Sequence, residues 1–499
     1  MRLLFSSLGD IRNLNISEYQ VPNSNSSCES FISVAPLVKG FSPDEIILVV
    51  PNSLLTYFSN EELKKFQNKK YNEIIEDFKP RFKDTKNNKS GKTVLELLKN
   101  FTDKEPRFIV SLARGIYTIS GGVIKLKIST RRENLYTHLF FKIWDTISDK
   151  ILEFIKDPNQ QQLELIVDIT HGFNYITFYL AQVVREIAFI IGRLVSPGSI
   201  SNTKENSKKI SKEISFELFS YTPFQPGTNF ELIEIENIKN IEKIPAFGFF
   251  EVVPSKKKEI VNAKLSEKLR KIVDEISKKM SLFIGSLVFG LPLHLVFYLY
   301  ELQKLDPDPK SIIREVIDYQ EENIKISMSE STFEIEDNLK FTENFINVVK
   351  GLVAFEILST TNEIHSFDFK TGKKYFDLDQ IKEIAKKTFY NERFSERFYA
   401  LELNKISDYL NKKYDYNKEY PFKLDKGSSD AIRNFFAHSG LSSEAFYFYK
   451  KCFTLENKCL KNLKDLKNLK KKFYLSPNLD ETSDNLKFTE TIIKRLLQI

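Results

Sequence analysis

"LELIVDITHGFN", residues 163–174, sets a mostly apolar run against a polar loop that packs Asp168, Thr170, His171, Gly172 and Asn174 into seven positions. A short apolar run of this kind is the pattern of a strand buried on both faces of a parallel sheet, and a helix beginning near Phe173 would leave the loop. Runs of the same kind recur at "RLLFSS" (2–7), "EIILVVP" (45–51) and "RFIVSL" (107–112). Helical spacing fills the gaps. "NEELKKFQNKKYNEIIEDFK" before the third run and "RENLYTHLFFKIWDTISDKILEFI" before the fourth carry apolar residues three and four apart, as βαβ crossovers require. "IYTIS" and "VIKLKI", on either side of Gly121 and Gly122, read as a hairpin, and "ISFELFSYTP" as a late strand. The pattern predicts a doubly wound α/β domain over residues 1–225.

The rest of the chain changes character. With 499 residues, two or three packed units are expected, and 41% hydrophobic against 28% charged residues suits buried cores rather than disorder. After about residue 260, helical periodicity dominates "VNAKLSEKLRKIVDEISKKM", "DQIKEIAKKTFYNERFSERFYALELNKISDYLNKKY" and "SSDAIRNFFAHSG", so the C-terminal part is expected to be all-α. Residues 226–305 read as a strand-like connection and a long helix entering that part, 306–373 as an insertion or linker, and 374–499 as the helical domain proper. "KDTKNNKSGK" and "SNTKENSKKISKE" read as solvated loops, and the Lys-rich "ENKCLKNLKDLKNLKKKF" as a solvated amphipathic helix, with RNA contact as a second reading.

Charge and cysteine usage exclude some classes. The balance of 74 basic and 67 acidic residues, +7 in all, is too mild to announce nucleic acid by itself. Three cysteines, with no CxxC pair, offer neither a disulfide framework nor a zinc site, which fits a reducing compartment. "MRLLFSSLGD" turns polar too soon for a signal peptide, so a cytoplasmic protein is expected. "MSLFIGSLVFGLPLHLVFYLY", 280–300, is uncharged and long enough to span a bilayer, yet it holds Gly285, Gly290, Pro292 and His294 and lacks stop-transfer flanks. The centre of a helical domain or a dimer contact is the other reading.

In an open parallel sheet, ligands gather outside the carboxyl ends of the strands. Two loops fall there: "SSLGDIR" (6–12), with Ser6, Ser7, Leu8 and Gly9, and the loop of Thr170, His171, Gly172 and Asn174. "ARGIY" adds Arg114. Hydroxyls, glycines, an amide and a cation suit a polyanion. His171 lacks a serine or cysteine partner for nucleophilic work, so binding is read ahead of catalysis, with a plain strand-end turn capped by Asp168 as the other reading. A second constellation lies at "SSDAIRNFFAHSG", 428–440, where Arg433, Asn434 and His438 sit on one short helix. Five positions turn a helix by about 140°, so Arg433 and His438 share no face within one chain, whereas a symmetric partner would bring two such sets into one cleft. An Arg to hold a phosphate and a His to move a proton suffice to cleave RNA through its own 2′-hydroxyl without metal; from the residues alone, a structural pair stands level with that reading.

Together the two motifs resemble a known family. "DITHG" matches the DxTHG signature and "RNFFAH" the R-N-x-x-x-H form of the HEPN motif, so the chain resembles the CARF–HEPN ribonucleases that accompany type III CRISPR systems. The resemblance implies a Rossmann-like CARF sensor first and a helical HEPN nuclease last. It implies that Ser6, Ser7, Leu8, Gly9, Thr170, His171, Gly172 and Asn174 bind cyclic oligoadenylate, usually cyclic tetra-adenylate, at a homodimer pocket. It also implies that Arg433, Asn434 and His438 cleave single-stranded RNA to a 2′,3′-cyclic phosphate, with no cofactor or metal. Arg114 joins the ligand set by loop position. A ligand-binding transcription regulator, keeping the sensor without nuclease activity, and a HEPN toxin silenced by a partner are the competing expectations.

Overall fold

The computed structural model describes residues 1–119, 124–171, 174–195, 212–221, 230–239, 241, 250, 267–288, 290–367, 374–389, 419–421, 446–452 and 471–477. Strand β1 (Arg2–Ser7) leads into a short hairpin, β2 (Ser17–Gln20) and β3 (Ser27–Ser30), and then helix α1 (Val34–Phe41). After β4 (Glu45–Pro51) come α2 (Asn60–Phe66), α3 (Tyr71–Asp84) and α4 (Val94–Leu98). Then follow β5 (Arg107–Ser111), a second hairpin of β6 (Gly115–Thr118) and β7 (Lys125–Ser129), and the long α5 (Arg132–Lys156). The deciding strand is β8 (Gln162–Asp168), followed by α6 (Asn174–Val195), β9 (Glu213–Tyr221) and β10 (Leu232–Ile238).

Six of these strands form one sheet in the order β10-β9-β8-β1-β4-β5, parallel throughout except for β10. Both faces are buried, which is why the runs read as continuously apolar. Leu3, Phe5, Ile47, Val49, Leu165 and Val167 enter one core with α5 and α6. Leu4, Ile46, Leu48, Val50 and Ile166 enter the other, with α1 and α3. The N-terminal domain is thus Rossmann-like, as expected, but its sheet continues past 225 into β10. The predicted crossover helix before β5 is broken in two, because Ser59 caps α2 with Glu62 in a reciprocal box and a fresh helix starts at Tyr71.

The uncharged run is split. Helix α7 (Glu267–Val288) and α8 (Pro292–Gln303) meet at Gly290, whose φ of 63° only glycine adopts readily, and both pack in the core shared with α5 and α6. Among the described residues no helix is long and apolar enough to cross a membrane. The stretch read as an insertion or linker, 306–373, holds built structure where it is described: α9 (Pro309–Glu322), the hairpin β11 (Ile324–Met328) and β12 (Thr332–Asp337), and α10 (Glu343–Thr361). Its β12 pairs in parallel with β7, making a second sheet β11-β12-β7-β6.

Buried polar groups fasten this part to α5 and α6. Asp337 accepts from Asn134 at 2.7 Å and from Gln320 at 2.8 Å, and Lys350 pairs with Glu186 at 2.9 Å, which Tyr136 also meets at 2.6 Å. The all-α expectation is corrected farther on. Beside α11 (Leu378–Phe389), the described residues hold β13 (Ser366–Phe367), β14 (Tyr375–Asp377), β15 (Glu419–Pro421), β16 (Phe446–Cys452) and β17 (Lys471–Pro477) in a five-stranded sheet. "FYFYKKC" and "KKFYLSP" are rich in aromatic residues, and that β-propensity won over the helical reading. The second of these takes the end of the predicted Lys-rich helix, whose remainder lies outside the described residues.

Candidate functional site

Chain order runs outward from β1 to β4 and β5, then returns to place β8 on the other side of β1. The switch of direction therefore falls between β1 and β8, where a crevice opens at the carboxyl ends of an α/β sheet. These two strands carry the "SSLG" and "DITHG" loops. Their register sets Ser6 directly opposite Asp168.

Asp168 organises the crevice floor. Fully buried, it accepts hydrogen bonds from Ser6 Oγ at 2.8 Å, Ser33 Oγ at 2.7 Å and the Thr170 amide at 2.9 Å. Three donors satisfy a buried carboxylate whose oxygens would otherwise lack partners. Thr170 Oγ1 accepts from the Tyr221 amide at 3.0 Å, and the Ser7 hydroxyl donates to the His171 carbonyl. The loop is held at both ends before any ligand arrives. His171 Nε2 lies 3.4 Å from the Tyr19 hydroxyl, and Tyr19 packs edge-on to Tyr221 and stacks on Phe230. Burial lowers the pKa of His171, with the Asp168 charge opposing it, so the imidazole is neutral near pH 7. Burial and the same carboxylate push Tyr19 up to about 12, so its phenol keeps its proton.

The predicted ligand residues therefore divide by role. Ser6, Ser7 and Leu8 are buried, and the Leu8 amide donates to the Val49 carbonyl at 2.9 Å. Gly9, Thr170 and His171 are half-buried at the surface of the crevice. Helix α6 starts at Asn174, so its positive N-terminal end belongs to this rim. Gly172 and the side chain of Asn174 lie outside the described residues. Arg114, just after β5, is exposed, and its backbone is fixed by two tyrosines, one of them in the first turn of α6: the amide donates to Tyr175 Oη at 2.9 Å and the carbonyl accepts from Tyr117 Oη at 2.8 Å. The rim thus offers a guanidinium, a helix N-terminus, a hydroxyl and a neutral imidazole, a set that recognises phosphates and nucleobase edges. Among the described residues no group of three or more His, Cys, Asp or Glu side chains is placed to hold a metal.

Sequence reading missed Ser33, Tyr19, Tyr221 and Tyr175. Ser33 lies 135 residues from Asp168 and Tyr19 152 from His171, and no local spacing marks such pairs. Arg433, Asn434 and His438 lie outside the described residues.

Comparison with known proteins bears on this geometry. Residues 3–193 match the family model of the CARF domain of the CRISPR system endoribonuclease Csx1. A CRISPR system endoribonuclease Csx1 from Methanocaldococcus jannaschii is 21% identical over 343 residues, covering 64% of this chain and 66% of that protein.

Proposed function

We propose that this chain is a CRISPR-associated endoribonuclease whose sensor rim binds cyclic oligoadenylate, a reading supported by the match of residues 3–193 to the Csx1 CARF-domain model. The observation that carries the reading is the crevice between β1 and β8, with "DITHG" in its wall and the Arg114 backbone bonded to Tyr175 in the first turn of α6. A ring of phosphodiesters offers anionic oxygens to Arg114 and the α6 N-terminus, and adenine edges to His171 and Thr170. Gly9 and Gly172 let the backbone approach closely.

The chemistry is assigned to "RNFFAH". The 2′-hydroxyl of the substrate attacks the adjacent phosphorus, the 5′-oxygen leaves, and a 2′,3′-cyclic phosphate results. His438 moves the proton, while Arg433 and Asn434 hold the non-bridging oxygens as charge builds on them. No metal or cofactor enters these steps. Two copies of the chain complete both sites, and ligand binding shifts the dimer toward its competent arrangement. The Lys350–Glu186 pair supports such coupling, since it ties α10 to the helix that begins at the sensor loop.

A panel of cyclic oligoadenylates assayed with labelled single-stranded RNA tests the proposal. Cleavage that requires cyclic tetra-adenylate, leaves cyclic-phosphate ends and disappears in Arg433→Ala or His438→Ala is expected. Palindromic duplex DNA binding without RNA turnover would instead identify a ligand-binding transcription regulator.

A further inference from the structure

"KNNKSGK", residues 86–92, reads as part of a solvated loop in the sequence, yet it is tied to the chain that leaves β1, at residues 11–14. Its centre is Asn87, only 1% exposed. The Asn87 amide nitrogen donates to the Ile11 carbonyl at 2.8 Å and to the Leu14 carbonyl at 2.9 Å, while its Oδ1 accepts from the backbone amides of Lys89 and Ser90. The Asn88 amide adds a bond to the Arg12 carbonyl at 2.9 Å, and Lys86 and Thr93 bridge the base of the loop. Gly91 closes the turn at φ 67°. A loop kept only for solubility has no need of a buried asparagine with all its hydrogen-bonding groups engaged.

What this clamp holds is charge. Residues 85–93 contain three lysines and no acidic residue, and Lys86, Lys89 and Lys92 are all exposed. The segment they are clamped to, 8–15, is the chain leaving β1 into the rim. Lys86 faces Glu96, whose carboxylate is engaged in capping α4 at Thr93, and Lys89 reaches Asn15. Arg12, whose carbonyl the loop holds, is already committed to Asp10, with its guanidinium 4.2 Å from the centre of the Tyr57 ring. Among the described residues Lys86, Lys89 and Lys92 form no ion pair of the kind Arg12 makes with Asp10, and Lys89 and Lys92 stand clear of the Lys86–Glu96 attraction.

From this placement we infer that the 86–92 loop is a phosphodiester-binding extension of the sensor rim, adding Lys86, Lys89 and Lys92 to the capture of the cyclic oligonucleotide. The inference rests on the sensor reading above and specifies a second flank of that site. Lysines on a pre-set loop act through charge, attracting the ring and holding its phosphates without reading its bases.

The test uses the full chain and cyclic tetra-adenylate, with binding followed by calorimetry from about 50 mM to 0.5 M salt. The triple variant K86Q/K89Q/K92Q is expected to bind about tenfold more weakly at low salt and to converge with the parent at high salt. Its plot of log affinity against log salt is expected to be shallower by about 1 to 2, with thermal melting unchanged. Replacing all three lysines by arginine should restore binding. Equal affinity and equal slope in the triple variant would overturn the inference. So would unchanged ligand affinity with lower RNA turnover at saturating ligand, which would assign the loop to the substrate. If the unmodified chain bound no cyclic oligoadenylate at any salt, the sensor reading itself would fall, and this extension with it.

Discussion

The motif residue that does most for the fold is Asp168, not the histidine that draws the eye. Its carboxylate gathers Ser6, Ser33 and the Thr170 amide into one buried knot. Stripping it in Asp168→Ala leaves two hydroxyls and an amide without their acceptor, so chemical unfolding should show a loss of about 2–4 kcal/mol. Asp168→Asn, which keeps one acceptor oxygen, should lose less. His171 makes a prediction of opposite character. Burial holds its pKa below the ordinary value near 6.5, so as pH falls the unfolded chain takes up a proton before the folded one does. The stability owed to the neutral ring is present above about pH 6.5 and is lost as pH falls toward the folded value. His171→Gln should therefore show a shallower fall in melting temperature between pH 7 and pH 5 than the parent, and parallel curves would show that the ring does not titrate in this way. The sequence displayed both residues but not their division of labour, because Ser33 and Tyr19 arrive from elements far along the chain.

At the scale of elements, legibility followed burial. Four of the five parallel strands announced themselves as apolar runs, while β9, with its alternating burial, was legible only as a late strand. The short hairpin β2–β3 was not legible, because "SEYQ" and "SCES" are polar and half-exposed. Nor were β16 and β17, where a block of aromatic residues beside a lysine pair shows no period-2 alternation to declare a strand. The β2–β3 hairpin carries Tyr19 over the crevice, and its docking turns on one glycine. A Cβ on Gly40 of α1 would sit 2.7 Å from both Cδ and the carbonyl oxygen of Pro22, in the turn that joins the two strands. Helix propensity alone favours Ala over Gly by about 1 kcal/mol, so the sign of the effect separates the two influences. Gly40→Ala should destabilise by about 1–3 kcal/mol because backbone has to move, and a gain in melting temperature would contradict the close contact.

At the scale of the whole molecule, the chain does not divide where its composition does. The stretch after residue 306 read as an insertion or linker because helical and strand-like patterns mix within it. It supplies a strand to the sheet of β7 and covers α5, and that pairing sets Thr332 against Lys125, 332 − 125 = 207 positions away and beyond the reach of any periodicity. Its clasp is polar as well as apolar. Glu321 on α9 meets His138 at 2.8 Å and Lys142 at 2.9 Å, both on α5. Burial alone would raise the Glu321 pKa, but the hydrogen bond from His138 and the charges of His138 and Lys142 outweigh it and leave the carboxyl at about 2. Its unfolded value is near 4.3, so the ionised form is favoured in the folded state. The stabilisation is therefore complete above about pH 4.5 and is lost as pH falls toward 2. Glu321→Gln should cost about 2–3 kcal/mol in urea unfolding at pH 7 and at pH 5.5, with the difference from the parent shrinking below pH 4.5 as the parent's own carboxylate takes up its proton. A difference that stayed constant down to pH 3 would mean that the clasp acts through shape alone, and a vanishing difference at pH 7 would mean that α9 is held to α5 by its apolar face without help from the charge.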